Sequence, residues 1–355
     1  MIPLPLHSFH QRIGAQFGQL NDCEVVRSYL SVESEYLKIS RNAGLLDFTF
    51  RGRIAVLGKD REKFLHGQLT NEVLGLKKGE GHYAAIVSAK GKLQSDLFLY
   101  KLDEELLLDF EPGFTAKLIE RLEKYVIADD VHLVDVAPHY SLFSIQGPHA
   151  LTLLKKTALF DSIPEKPLTW RSDSSSDGEI YLMNNPRLNT AGYDLFVPKA
   201  AEVDFAERFD REEWVGWDAF EIARVESAVP RFGADMDENN LPQEAEIQDR
   251  AVSFSKGCYI GQEVIARIRT YGQVAKALRL LRLPNQVQKL AGPGEKLFKE
   301  GKEVGYLTSS CLSPKYGAEI ALGYVRKETN SPGSLLRLGS AEGPEVQVVG
   351  IPGQI

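Results

Sequence analysis

The texture of the chain changes after about Ala277, and no other feature constrains the fold as much. Short strand-like runs recur at 278–283, 296–299, 304–309, 320–325, 335–338 and 346–349. Pro293-Gly294, Gly301 and Pro332-Gly333 break them at intervals too short for a helix of ordinary length. Many short strands at such spacing predict a small barrel or sandwich. A boundary near residues 272–277 follows, and it divides the 355 residues into a region 1–272 and a β domain 273–355.

Region 1–272 mixes periods. Phe64, Leu65, Leu69 and Val73 mark one helical face, with Asp60 as N-cap, and predict a helix over 60–73. Runs 83–88 and 93–101, joined by Ala89-Lys90-Gly91-Lys92, predict a hairpin. In the second run Leu93, Leu97 and Leu99 share one face, and Gln94, Asp96, Phe98 and Tyr100 the other. A third strand at 106–110 precedes a helix marked by Phe114, Leu118, Leu122, Tyr125 and Val126. The polar stretch 172–178 reads as a surface loop, 193–197 as a strand, and 214–229 as a helix stopped by Pro230. Residues 233–249 are acidic and irregular. Strands followed by helices that fold back give an α+β layer.

Composition excludes several functions. With 42 Lys+Arg against 49 Asp+Glu the net charge is −7, a poor field for general nucleic-acid binding. The apolar runs fall far short of the ~20 residues that cross a bilayer, so no membrane is expected. The first 20 residues lack a basic stretch followed by an apolar one, so no secretory signal is expected either. Cys23, Cys258 and Cys311 are distant and odd in number, which argues against disulfides and zinc and for a reducing cytoplasm. Gly79-Glu80-Gly81-His82-Tyr83-Ala84 fits GxGxxA, but a strand follows it, so no helix N-terminus awaits a pyrophosphate. The seven histidines show no metal spacing, and no metal site is expected.

One segment carries chemistry: Lys256-Gly257-Cys258-Tyr259-Ile260-Gly261-Gln262-Glu263. Glycines permit close ligand approach. A neighbouring Lys256, or a helix beginning at Gly261, would lower the pKa of the Cys258 thiol. The segment reads either as an exposed, activated thiol beside a ligand or as a small buried cysteine in a glycine-rich turn.

The octad resembles the signature of the YgfZ-type folate-binding proteins, relatives of the glycine-cleavage T-protein (aminomethyltransferase). Other motifs agree in order: Gly67-Gln68-Leu69-Thr70-Asn71, Ser95-Asp96-Leu97-Phe98-Leu99-Tyr100, Ile145-Gln146-Gly147-Pro148, Gly192-Tyr193-Asp194, Arg224-Val225-Glu226, Met236-Asp237-Glu238 and Ala321-Leu322-Gly323-Tyr324-Val325. The resemblance covers roughly residues 40 to 350. It implies an α+β, three-lobed ring with a central folate channel and a C-terminal small β-barrel, and tetrahydrofolate or a derivative as cofactor. Glu226 would accept the pterin N–H donors, or alternatively pair with a helix neighbour. Asp96 would assist one-carbon transfer, or alternatively faces solvent on a half-exposed strand, with Ser95 where the T-protein typically has a second aspartate. Tyr193 and Phe98 would stack on the ligand, or are core aromatics. Arg267, Arg269 and Lys276 would meet the folate tail or a phosphate, or line a solvated strand face.

Two functions follow from the resemblance. In one the protein binds folate and supports iron–sulfur cluster assembly or repair, partnering iron–sulfur proteins or their assembly factors and serving enzymes such as those that modify tRNA. Cys258 is then the key residue and Lys256 tunes it, although a lone thiol cannot hold a cluster. In the other the protein is an aminomethyltransferase that moves a lipoyl-carried one-carbon unit to tetrahydrofolate, with Asp96 as the electrostatic or proton-transfer partner.

Overall fold

The computed structural model describes residues 1–284 and 290–353. An N-terminal hairpin pairs β1 (Gln16–Leu20) with β2 (Cys23–Ser28). The next strands are β3 (Gly44–Asp47), β4 (Gly52–Leu57), β5 (Gly81–Val87), β6 (Leu93–Lys101), β7 (Leu106–Phe110), β8 (His132–Asp135), β9 (Tyr140–Gln146), β10 (Trp170–Ser175), β11 (Gly178–Asn184) and β12 (Gly192–Pro198). They form two five-stranded sheets, β10-β11-β12-β9-β3 and β5-β6-β7-β4-β8. After a helix at Gln262–Tyr271 come β13 (Lys276–Arg282), β14 (Lys296–Lys299), β15 (Lys302–Ser313), β16 (Ala318–Arg326), β17 (Leu335–Leu338) and β18 (Glu345–Gly350). These close into a barrel of order β13-β16-β15-β14-β17-β18. The fold is therefore mixed α/β with a closed six-stranded C-terminal barrel.

The chain forms two compact units: Met1–Gln68, Glu72–Tyr83 and Leu97–Ala223 in the first, and Leu69–Asn71, Ala84–Asp96 and Arg224–Ile355 in the second. In the first unit β12 is buried along its whole length and serves two layers. Tyr193, Leu195 and Val197 face a core shared with Leu4, Phe9, Phe205 and Trp214. Phe196 faces a second core, to which Tyr100 and Leu107 of the other sheet and Leu142 of β9 contribute. Period-two alternation puts Asp194 on that same inner side. There Arg187 bridges the sheets, its Nη2 lying 2.5 Å from Asp109 Oδ2 on β7 and 2.7 Å from Asp194 Oδ2 on β12. Arg51 adds Nε to Asp109 Oδ1 at 2.7 Å and Nη1 to Glu111 Oε1 at 2.9 Å.

In the second unit the barrel closes on Leu281, Leu297, Leu307, Val325, Leu336, Val346 and Val348. Strands β15 and β16 approach closely, and a Cβ at Gly305 would lie 2.1 Å from the Tyr324 carbonyl oxygen. A bulge at Leu307–Ser309 interrupts that ladder. The Thr308 and Ser309 hydroxyls donate there to Asp235 Oδ1 at 2.6 and 2.7 Å. Arg224 holds the other oxygen of Asp235 at 2.6 Å.

Three local expectations are corrected. Residues 172–178 are not a loop: 172–175 continue β10, an edge strand whose polar residues face solvent, and pair with β11 through Ser175↔Gly178. The helix expected over 60–73 is Arg61–Gln68. Leu69 beyond it bridges to Ile86, so an extended chain buries Leu69 and Val73. The helix expected over 214–229 is Trp217–Glu226, because Trp214 is fully buried in a core and bridges to Leu45.

Replacing Asp109 by Ala leaves two buried guanidinium groups short of a carboxylate, and we expect a loss of about 3–5 kcal/mol, read by chemical denaturation followed by circular dichroism. Burial pushes the Asp109 carboxyl up, but the charges and hydrogen bonds of Arg187 and Arg51 more than offset it, so its pKa is lowered. A carboxylate lowered in the folded state stabilises above its unfolded pKa of about 3.9 and loses that contribution as pH falls further. The gap between the native and Asp109→Ala proteins should therefore narrow below that pH.

Candidate functional site

The octad lies in the second unit, and its glycines set its path. Gly261 is the N-cap of Gln262–Tyr271 and has φ 82°, a left-handed conformation. A Cβ there would meet the Ser88 carbonyl oxygen at 2.4 Å. In the β5–β6 turn, a Cβ on Gly91 (φ 71°) would lie 3.2 Å from the Val264 side chain. Octad and hairpin turn thus press together through two glycines.

Cys258 is exposed, whereas Cys23 and Cys311 are buried. It stands three residues before the helix N-cap Gly261, where the Gln262 N–H donates to the Tyr259 carbonyl oxygen at 3.3 Å. Lys256 is 7% exposed and its Nζ donates to the Leu69 and Asn71 carbonyl oxygens at 2.7 and 3.0 Å. That ammonium also lies 5.0 Å from the centre of the Tyr259 ring, whose hydroxyl pKa burial pushes up to about 12. Lys256 is therefore an anchor for segment 69–71, whatever it does for the thiol.

Asp96 is half-buried on β6. Ser95, 1% exposed, points to the opposite side and donates its hydroxyl to the Asp96 carbonyl oxygen at 3.0 Å. Phe98, on the Asp96 side by alternation, is half-buried, 5.3 Å from the Tyr83 ring and 5.1 Å from the Arg187 guanidinium. Glu226 ends its helix 4% exposed, where its Oε1 accepts from the Ser313 hydroxyl and from the Lys315 N–H at 3.2 Å. Tyr193 is 7% exposed, and burial pushes its hydroxyl pKa up. Arg267 is solvent-exposed and paired with Glu263 at 2.6 Å one helical turn earlier.

The structure therefore sorts the nominated residues by access. Cys258, Asp96 and Phe98 present surface, Glu226, Lys256 and Tyr193 are packed away, and Arg267 lies in solvent. Of the three residues read either as contacts of the folate tail or a phosphate or as a solvated strand face, Arg267 and Arg269 lie on the helix Gln262–Tyr271 and Lys276 opens β13. Sequence reasoning also missed the Arg51–Asp109–Arg187–Asp194 cluster. Its signal was an aspartate inside each of two apolar strand runs, Leu106–Phe110 and Gly192–Pro198, where a charge must be paired.

The geometry can be set beside known proteins. Residues 6–256 match the GCVT N-terminal domain, and 276–349 match the glycine cleavage T-protein C-terminal barrel domain. A protein named aminomethyltransferase from Thermosipho melanesiensis is 28% identical over 327 residues, covering 91% of this chain and 89% of the relative. A chloroplastic putative transferase of Arabidopsis thaliana is 27% identical over 342 residues, covering 95% and 78%. The crystal structure of glycine cleavage system aminomethyltransferase T from Bartonella henselae superposes with a TM-score of 0.88 at 22% identity, covering 99% of this chain and 97% of that one. With both domains matched in order along nearly its whole length, the chain belongs to the glycine cleavage T-protein family.

Proposed function

We propose that this protein binds tetrahydrofolate and passes a one-carbon unit to it, as an aminomethyltransferase. One observation carries the reading. Relatives bearing that name align over nine-tenths of the chain, and Asp96 is half-buried on β6 rather than packed away. Bound tetrahydrofolate would supply the nitrogen nucleophile that accepts the unit. Asp96 suits that chemistry as an acceptor for N–H donors and a place to hold a proton. Phe98, half-buried on the same side of the strand, offers a flat apolar face. Glu226 fits less well as it stands, because its Oε1 already satisfies Ser313 and Lys315.

Purified protein with aminomethylated lipoyl carrier and tetrahydrofolate should release ammonia and methylene-tetrahydrofolate. Asp96→Asn should lower turnover by about 10² or more. No product with stoichiometric enzyme would sink the transferase. Glu226→Gln tests the pterin role separately. Unchanged tetrahydrofolate affinity in calorimetry, together with a lowered melting temperature, would assign Glu226 to the frame alone.

A second reading rests on Cys258. An exposed thiol ahead of a helix N-terminus, in an octad that resembles the YgfZ-type signature, favours a folate-binding accessory to iron–sulfur proteins. The thiol would act there by transient ligation or exchange. A disulfide reagent should titrate one thiol quickly in the native protein and all three after unfolding, with the fast one lost in Cys258→Ser. In cells, Cys258→Ser should depress iron–sulfur enzyme activity while stability and folate binding persist. Full activity would discard this reading and leave the transferase untouched.

A further inference from the structure

The first unit holds a cavity of about 530 Å³ that involves neither Cys258, Asp96 nor Glu226. The start of the chain forms one wall. Ile2 runs beside β2, its N–H donating to the Asp22 carbonyl oxygen at 2.6 Å and its carbonyl oxygen accepting from the Glu24 N–H at 2.8 Å. Segment 49–52, the helix Thr115–Glu123 and segment 135–138 complete the enclosure. Ile2, Leu4, Phe50, Ile119 and Pro138 make most of the lining apolar. The volume lies within the range of small-molecule sites.

Two buried charges interrupt that apolar lining, Glu24 at 6% exposure and Arg51 at 9%. Each is held to the frame by part of its polar group only. Glu24 Oε2 accepts from the Leu4 N–H at 3.0 Å and lies 2.9 Å from His7 Nδ1. Its Oε1 meets no donor among the described residues. Arg51 donates through Nε to Asp109 and through Nη1 to Glu111, and its Nη2 meets no acceptor among the described residues. Neither Glu24 Oε1 nor Arg51 Nη2 belongs to the partnerless polar atoms that are closed off from solvent, so both remain reachable. An unmet acceptor and an unmet donor of opposite charge, set in an apolar wall, suit a ligand that brings a cation to one and an anion to the other. Asp22 and Asp135 also line the cavity, but they stand exposed, where water and salt screen them.

We infer that this cavity, between the start of the chain and the helix Thr115–Glu123, binds a small apolar zwitterion, with an ammonium on Glu24, a carboxylate on Arg51 and a hydrocarbon body against the apolar wall. A ligand with a single charge leaves one of the two buried groups unmet.

The full chain is titrated calorimetrically with leucine, which carries both charges on one carbon, and with 6-aminohexanoate, which carries them at opposite ends. At least one should show saturable one-to-one binding. Hexylamine and hexanoate, which keep one charge each, should bind about tenfold or more weakly than that zwitterion, and so should glycine, which lacks the apolar body. Glu24→Gln should weaken the zwitterion by about tenfold or more with circular dichroism unchanged. Should Glu24→Gln misfold, Ala116→Trp, at an exposed position of the wall, should abolish binding by filling the cavity. The inference is overturned by absence of saturable heat with both zwitterions at millimolar concentration, or by hexylamine or hexanoate binding as tightly as the zwitterion. Unaltered affinity in the folded variants, or one-for-one displacement of the zwitterion by tetrahydrofolate, would also overturn it.

Discussion

Arg187 holds the first unit's two sheets at a fixed separation by donating to a carboxylate from each, Asp109 on β7 and Asp194 on β12. Taking a charge out of water costs several kcal/mol per ion, so such a layer persists only where every member is met. Here they are met. Ser144 and Asn185 complete Asp194 at 2.7 and 2.8 Å, and Arg51 completes Asp109. Burial alone would lower the Arg187 pKa, but Asp109 and Asp194 reverse it and raise the pKa above its ordinary value. The layer also fixes register. A one-residue slip of β12 would carry Asp194 into the apolar core beneath Tyr193 and Leu195, leaving Arg187 with Asp109 alone.

The second unit uses buried polar groups in the same way. Asp235 gathers Arg224, Thr308 and Ser309, Glu226 gathers Ser313 and Lys315, and Lys256 gathers two carbonyl groups of segment 69–71. Each ties a loop or helix end to another element. Residue type alone did not separate these from groups with accessible chemistry. Glu226 and Asp96 are both carboxylates beside a family motif, yet one is packed beneath barrel residues and the other stands half-open on a strand.

That contrast defines what the sequence could reveal. The barrel strands at 296–299, 335–338 and 346–349 were legible to within a residue, because Gly and Pro mark their ends, whereas β15 runs Lys302–Ser313, well past the 304–309 expected. The helix start at Gly261 was legible for the same reason. The edge strand β10 was not, since an edge exposes one face and its serines and aspartates look like a loop. Lys256 lies two residues from Cys258 in sequence, but its ammonium is directed to the carbonyl groups of residues 69 and 71, a long-range contact that sequence spacing does not reveal. The ionic layer was hidden for a related reason. Asp109, Arg187 and Asp194 are visible singly as misplaced charges, and only the pairing of sheets brings them together.

The Ser95-Asp96 pair shows how burial constrains chemistry on the family scaffold. Ser95 faces the interior, 1% exposed, with its hydroxyl turned onto its own strand. A carboxylate at that position would lie buried among Leu93 and Leu97 and would pay desolvation unless a cation met it. Serine removes that cost and leaves Asp96 as the carboxylate this strand offers on its accessible side. In the proposed functions proton handling on β6 would rest on Asp96, and thiol chemistry in the same unit on the exposed cysteine, Cys258. The two proposed functions thus call on different side chains, so a substitution at either one leaves the other chemistry open to measurement.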